Sequence, residues 1–208
     1  MESVAVIDYG SSNLRSVAKA LDTVAAGKYK ITVSDDFALI RTADRIVFPG
    51  QGAIRQCMQA LLSQGYVDLL TECINNKPFL GICLGLQTLL DFSEEDDGVK
   101  GLGIIPGTVK RFPDDSGPEY KIPHIGWNRV AQSPHPLWQG INDKERFYFL
   151  HSYYVAPEQQ EHVAGSTEYM LKFTAAVARD NLFAIQFHPE KSQRAGLQLL
   201  SNFLNWRP

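Results

Sequence analysis

Cysteine is scarce in this chain, and the few cysteines form neither a disulfide pattern nor a metal-binding pattern. The 208 residues contain three cysteines, Cys57, Cys73 and Cys83, and no two of them are at CxxC spacing. An odd number without paired spacing argues against a disulfide framework and favours a reducing, cytoplasmic location. The cysteines and histidines also lack the spacing of metal ligands, so we expect no metal and no other cofactor.

Long hydrophobic runs and an excess of basic residues are missing as well. No stretch is long enough to span a membrane, and the first residues lead into a predicted strand without a signal-peptide pattern. The formal net charge is −3 and the isoelectric point is about 5.9, which excludes a broad basic surface for nucleic acid. Because 44% of the residues are hydrophobic, we expect one α/β domain with a sizeable core over residues 1–208.

Apolar runs alternate with amphipathic stretches over the first 92 residues. The spacing predicts a helix that begins at Leu14, with Asn13 as its N-cap, and another helix over residues 84–92. This alternation favours an open, doubly wound, mostly parallel sheet. We predict its strands at residues 3–7, 29–33, 45–48 and 79–82.

The pattern changes after an acidic stretch at residues 93–98, which we interpret as a solvated surface loop. Short β-like runs follow, and they predict antiparallel additions to the sheet rather than a second domain. A last buried strand is predicted at residues 182–187, before an amphipathic helix at 192–206. The β-like runs lie at residues 108–112, 125–130, 146–155 and 173–179.

The most informative stretch is a cysteine between a predicted strand and a predicted helix. Cys83 follows the apolar run 79–82 and has glycines two residues to either side, Gly81 and Gly85. This is the strand–nucleophile–helix pattern, in which small residues let a sharp turn approach its neighbours. A thiol at a helix N-terminus is stabilised as thiolate, and the N–H of Leu84 would face an oxyanion. A buried structural cysteine is the competing interpretation.

A second set of polar residues follows the last predicted strand. His188 and Glu190 flank Pro189 there, and loops at the carboxyl ends of parallel strands share one crevice. A Cys–His pair produces a thiolate and a proton carrier, and a carboxylate orients the imidazole. We therefore predict a Cys83–His188–Glu190 triad that attacks carbonyl groups.

A second oxyanion donor is expected from another loop that follows a strand. The segment Gly50, Gln51 and Gly52 follows the predicted strand 45–48, and its glycines would let backbone N–H groups approach a substrate. A plain turn between a strand and a helix explains this segment equally well.

These motifs resemble the class I (triad) glutamine amidotransferases, and the resemblance covers essentially the whole chain. The residues that carry it are GICLGLQ at 81–87 and FHPE at 187–190. Further stretches resemble the glutaminase subunits of imidazole glycerol phosphate synthase: DYGSSNL at 8–14, PHIGWN at 123–128, HSYY at 151–154 and HPEKS at 188–192. The resemblance implies a flavodoxin-like fold and hydrolysis of glutamine to glutamate and ammonia.

The resemblance also implies roles for individual residues. Cys83 would be the nucleophile, His188 the general base and acid, and Glu190 the residue that orients it. The glutamine substrate would be held by Gln87, Ser152 and Tyr153. Ammonia would pass to a partner, a (β/α)₈-barrel cyclase subunit, to which this chain would present Asn13, Trp127, Tyr148 and Lys191.

One position departs from the family pattern, and other functions remain open. Gln51 stands where many members carry a small apolar residue, so packing of the oxyanion segment is affected. Trp127 and Tyr148 could instead be core aromatics. The alternatives are the glutaminase of another synthase, for anthranilate or carbamoyl phosphate, a non-catalytic scaffold of the same fold, or a cysteine peptidase.

Overall fold

The chain begins with regular alternation between strands and helices. The structure is a computed structural model, which describes residues 1–114, 117 and 120–208. The elements of the first part are β1 (Glu2–Ile7), α1 (Leu14–Ala25), β2 (Tyr29–Ser34), α2 (Phe37–Thr42), β3 (Arg45–Gly50), α3 (Ile54–Ser63), α4 (Tyr66–Asn76), β4 (Phe79–Cys83) and α5 (Leu84–Gln87).

The rest of the chain consists mainly of β-strands and ends in a longer helix. Its elements are β5 (Leu90–Ser93), β6 (Val99–Lys100), β7 (Ile105–Arg111), β8 (His124–Gln132), β9 (Glu145–His151), β10 (Tyr153–Pro157), β11 (Val163–Tyr169), β12 (Leu171–Arg179), β13 (Leu182–Ile185) and α6 (Gln193–Asn205). Among the described residues, no helix has the length and apolar character needed to cross a membrane.

Five strands form a parallel block in the order β2-β1-β3-β4-β13. This is the flavodoxin-like order, with β13 as the fifth strand. Antiparallel pairing continues through β12, β10 and β7, while β5 and β6 form the far edge and β11, β8 and β9 branch from β12. The expected open α/β fold with antiparallel additions is confirmed.

Helices cover both faces of the parallel block because successive strand residues point to opposite faces. In β1, Val4 and Val6 pack in one hydrophobic cluster with buried residues of α1 and α6. Ala5 and Ile7 pack in a second cluster with residues of α3 and α4. This doubly wound arrangement buries the parallel strands and leaves their carboxyl ends open at one edge of the sheet.

The helix predicted over residues 84–92 is wrong in length. Helix α5 ends at Gln87, and the chain enters β5 three residues later. The backbone N–H groups of Leu102 and Ile104 donate to the carbonyls of Thr88 and Leu89 over 2.8 Å each. Backbone hydrogen bonds from a later segment therefore take the carbonyls that a longer helix would have used.

Other local predictions also need correction. Asn13 is the N-cap residue of α1, as predicted, but it has φ of 71° and its side chain makes no capping hydrogen bond. The run predicted at 146–155 is two strands, because Ser152 separates β9 from β10. Helix α2, which Asp36 caps through Ala38 and Leu39, and strand β11 were not predicted.

A half-buried histidine makes folding stability depend on pH. His135 accepts a hydrogen bond at Nδ1 from the N–H of Leu137 over 3.2 Å, and its ring lies 4.6 Å from that of Phe183. Burial lowers the pKa of His135 from 6.5 to about 4. Between these values the unfolded chain binds more protons than the folded one, so the free energy of unfolding falls as the pH drops through this window.

We expect His135→Asn to weaken this pH dependence. Asparagine keeps a side-chain acceptor for the N–H of Leu137 and does not titrate. Urea unfolding of both proteins at pH 7 and pH 5 should show a smaller loss of stability on acidification for the variant. Equal losses of stability in the two proteins would show that His135 does not cause this pH dependence.

Candidate active site

Cys83 lies on a strained turn between β4 and α5. Its backbone has φ of 56° and ψ of −108°, a conformation that costs a residue with a side chain about 1–3 kcal/mol. A Cβ added at Gly85 would lie 2.0 Å from the carbonyl oxygen of Phe48, and one at Gly81 would lie 2.9 Å from the Cβ of Ala184. Both glycines are therefore required by close approach to the neighbouring strands β3 and β13.

His188 reaches Cys83 because β13 pairs with β4 in parallel. Ile185 at the end of β13 is in register with Ile82, the residue before the cysteine. The chain then continues through Phe187, whose buried ring stacks on Phe147 with a centroid distance of 4.1 Å. The backbone N–H of His188 donates to the carbonyl of Tyr148 over 2.9 Å. These contacts fix the imidazole at the carboxyl edge of the sheet.

Glu190 orients the imidazole of His188. Its Oε1 lies 2.9 Å from His188 Nδ1 and also accepts a hydrogen bond from Asn13 Nδ2 over 2.6 Å. Since Nδ1 faces the carboxylate, Nε2 is left for the sulfur of Cys83. Three residues separated widely in the sequence therefore form a Cys–His–Glu arrangement.

The electrostatics of this arrangement favour a charged His188. Burial alone would lower the pKa of His188, but hydrogen bonds with Cys83 and Glu190 outweigh it and raise the pKa to about 10. Burial works against the charge of Glu190 as well, yet the hydrogen bond with His188 lowers the pKa of the carboxyl. A charged imidazole between an anionic carboxylate and a sulfur favours a thiolate.

Two of these three groups open on a cavity of about 270 Å³. Cys83 and His188 line it, whereas Glu190 supports the histidine from behind. The predicted substrate-binding residues Gln87, Ser152 and Tyr153 line it too. The remaining lining residues are Gln51, Gly52, Leu84, Glu95, Pro123, Leu150 and His151.

The predicted oxyanion segment lies against Cys83. Gly50 is in register with Cys83 across β3 and β4, and Gln51 and Gly52 line the cavity. A Cβ added at Gly50 would lie 2.4 Å from the buried hydroxyl of Tyr9. The N–H of Leu84 is at the first position of α5, where a backbone N–H has no partner within the helix.

Gln87 supports the cavity wall through its side-chain amide. Gln87 Nε2 donates to the backbone carbonyl of Tyr153 over 3.1 Å and to Gln186 Oε1 over 3.1 Å. Both hydrogens of that nitrogen are therefore used. The group that Gln87 can offer a ligand is its Oε1, which accepts hydrogen bonds.

Sequence reasoning missed several polar residues of the site. Glu95 lies in the stretch interpreted as a solvated loop, but it lines the cavity and accepts a hydrogen bond from the N–H of Ile54 over 3.2 Å. Burial raises the pKa of Glu95. A run of four acidic residues gives no sign that one of them turns inward. Gln186, His124 and His151 are buried beside the site. The two histidines belong to the stretches PHIGWN and HSYY, but no role was predicted for them, and no local pattern marked Gln186.

The residues predicted to face a partner lie on one side of the site, apart from Asn13. Trp127 is 43% exposed, and its ring meets that of Tyr148 edge-on with a centroid distance of 6.0 Å. Lys191 Nζ lies 5.8 Å from the centre of the Tyr148 ring. Asn13 is half-buried against Glu190.

The other two cysteines are free, buried packing residues of α3 and α4. Across the described ranges 1–114, 117 and 120–208, no group of three or more His, Cys, Asp and Glu residues is arranged to hold a metal ion.

Comparison of this chain with known proteins identifies the class of proteins that has this fold and this site. The family Glutamine amidotransferase class-I matches residues 5–206, so the chain belongs to the class I glutamine amidotransferases. Two relatives, from Nitrosomonas europaea and Aromatoleum aromaticum, are each called imidazole glycerol phosphate synthase subunit HisH. They are 58% and 53% identical to this chain, with 100% of both chains covered in each case.

Solved structures support the fold at lower sequence identity. A glutamine amidotransferase structure has a TM-score of 0.71 at 14% identity and covers 97% of each chain. A glutamine amidotransferase from Thermotoga maritima has a TM-score of 0.66 at 16% identity and covers 93% of this chain and 78% of that one.

We expect Gly85→Ala to disrupt the turn at Cys83. The added methyl group would overlap the Phe48 carbonyl, so the free energy of unfolding should fall by about 3 kcal/mol, although alanine favours helix. Urea unfolding measures the loss.

Gly27→Ala is the control for Gly85→Ala. Gly27 has φ of 76° and no atom within 4 Å of an added Cβ, so only backbone strain of about 1 kcal/mol is expected. Similar losses of unfolding free energy in the two variants would show that the contact with the Phe48 carbonyl does not destabilise Gly85→Ala.

Proposed function

We propose that this chain is the glutaminase subunit of an imidazole glycerol phosphate synthase. It hydrolyses glutamine and delivers ammonia to a second subunit, which uses it in histidine biosynthesis. The observation that carries this function is the cysteine on a strained turn beside a carboxylate-oriented histidine, both lining one small cavity. The shared name of the full-length relatives supports the choice of synthase.

The triad performs two acyl transfers. The Cys83 thiolate attacks the side-chain amide carbon of glutamine, and the C–N bond breaks as His188 gives a proton to the departing ammonia. The product is a thioester on Cys83. Water then attacks this thioester, His188 takes a proton from the water, and glutamate leaves as the thiolate forms again. Glu190 holds the imidazole in the required orientation throughout.

Backbone N–H groups stabilise the oxyanion of each tetrahedral intermediate. Leu84 supplies one N–H from the start of α5, beside the reacting sulfur. The segment Gly50–Gln51–Gly52 supplies the second, since Gly50 is in register with Cys83 and the other two residues line the cavity. Each such donor is worth about 10²–10³ in rate.

The cavity wall suits an amino acid whose side chain ends in an amide. Ser152 and Tyr153 contact the substrate from the junction of β9 and β10, and Gln87 offers the substrate an acceptor oxygen. Glu95 is a lining carboxylate, so it pairs with the α-ammonium group of the substrate. A volume of about 270 Å³ suits one small molecule rather than a peptide.

The partner is a (β/α)₈-barrel cyclase, and it covers the surface that carries Trp127, Tyr148 and Lys191. Lys191 directly follows Glu190, and Tyr148 accepts a backbone hydrogen bond from His188. Asn13 joins this surface to the triad through Glu190. An interface here places the site of ammonia release close to the second subunit.

We also propose that residues 1–208 act as one domain in the cytoplasm. One sheet contains both the parallel block and the later strands, and the site draws residues from β4, β10 and the loop after β13. A reducing compartment keeps the thiol of Cys83 available.

We expect Cys83→Ala to abolish glutamate release from glutamine. Release should be measured for the purified chain alone, with the cyclase, and with the cyclase and its nucleotide substrate. The unsubstituted chain should release glutamate faster once the partner and its ligand are present.

Cys57→Ala is the matched control, because Cys57 is buried in α3 away from the cavity lining. It should retain glutamate release. Release by Cys83→Ala at the rate of the unsubstituted chain would refute the nucleophile assignment. Strong release by the unsubstituted chain alone would keep the triad and argue against this particular synthase.

We expect Trp127→Ala to weaken cyclase binding at least tenfold, as aromatic anchors at interfaces often do. The matched control is Phe92→Ala in β5, since Phe92 is 44% exposed and Trp127 is 43% exposed. Titration calorimetry with the purified cyclase measures both affinities. Equal losses, or no loss for Trp127→Ala, would place the partner elsewhere.

A further inference from the structure

A single backbone carbonyl fixes the direction of a buried hydrogen-bond network beside the cavity. The oxygen of Tyr153 accepts from Gln87 Nε2 over 3.1 Å and lies 2.8 Å from His151 Nδ1. A carbonyl oxygen can only accept, so His151 Nδ1 must carry a proton and Gln87 must present its NH₂ group. Neither side chain can be reversed without placing two acceptors together.

The fixed orientation of the Gln87 amide also determines the orientation of the Gln186 amide. The NH₂ group of Gln87 also lies 3.1 Å from the side chain of Gln186, so the atom that faces it there is the oxygen Oε1. The nitrogen Nε2 of Gln186 then points the other way and lies 3.6 Å from Cys83 Sγ. Gln186 has no exposed surface, and therefore water does not compete for this contact.

The Tyr153 carbonyl fixes the protonation of the two histidine rings by the same argument. Because His151 Nδ1 is protonated, Nε2 of the neutral ring is an acceptor, and His124 Nδ1 donates to it over 3.0 Å. Burial lowers the pKa of His151 to about 3 and that of His124 to about 4, so both rings are neutral near pH 7. The rigid pair keeps the Tyr153 carbonyl in place.

We propose that the side-chain amide of Gln186 donates a hydrogen bond to the Cys83 thiolate and is a further catalytic residue of this site. A hydrogen bond to a charged acceptor is stronger than one to a neutral acceptor, so the amide favours the thiolate over the thiol. It also restrains the sulfur for attack on a carbonyl carbon. The inference rests on the proposed function only in taking Cys83 as the nucleophile.

The test is the pH dependence of Cys83 alkylation by iodoacetamide in the full-length chain. Peptide mass spectrometry separates Cys83 from Cys57 and Cys73. Gln186→Met keeps a side chain of similar length without the donor, and we expect alkylation at pH 7 to be about tenfold slower. The whole rate profile should move to higher pH, while the plateau at high pH is kept.

A second variant separates the donor from packing. Gln186→Glu keeps the shape of glutamine but faces the sulfur with an oxygen, so its profile should move further to higher pH than that of Gln186→Met. Gln198→Met is the control, because Gln198 lies in α6 and its amide donates to Asn202 over 2.9 Å. Its profile should match that of the unsubstituted chain.

Two results would overturn the inference. One is an unchanged profile for Gln186→Met, and the other is an equal slowing at every pH, which indicates altered access to the thiol. If Gln186→Glu fails to fold, Gln186→Met still decides between these outcomes. The assay contains no glutamine, so a shifted profile in a chain that never releases glutamate would reject the proposed function and keep the role of Gln186.

Discussion

The strained backbone at Cys83 is the constraint on which the rest of the site depends. A residue with a side chain at φ of 56° is held there only because its surroundings fix both ends of the turn. The carbonyl of Phe48 lies where a Cβ of Gly85 would stand, so α5 packs directly on β3. That contact turns the sulfur toward the cavity and places the first N–H of α5 beside it.

Strand pairing supplies the second half of the site. β13 is a neighbour of β4 although about a hundred residues separate them, and their register determines how far the chain past β13 extends beside Cys83. The antiparallel strands that lie between them in sequence contribute another wall. Ser152 and Tyr153 enter the cavity at the break between β9 and β10, so the antiparallel additions take part in the site.

Most of the polar side chains buried here join one of two hydrogen-bond networks, while Glu190 Oε2 has no partner among the described residues. His188 pairs with Glu190, which also binds Asn13. In a second network, Gln87 and His151 bind the backbone carbonyl of Tyr153. Gln186 and His124 bind these two side chains in turn. Buried groups of this kind are costly when unpaired and rigid when fully paired. The two networks therefore restrain the groups that surround Cys83.

The sequence by itself determined the parallel part of the fold, and it predicted that Cys83, His188 and Glu190 would come together. Those signals are local, since a cysteine between spaced glycines and a His-Pro-Glu turn both follow apolar runs. Only the tertiary structure decided where α5 ends, because backbone groups from residues 101–105 bind the carbonyls that follow it. It also decided that Glu95 turns inward, that Asn13 binds Glu190, and that Gln186 faces the sulfur. Each of these features depends on hydrogen bonds between distant segments. The spacing of residues within one segment does not show which distant groups will pair with it.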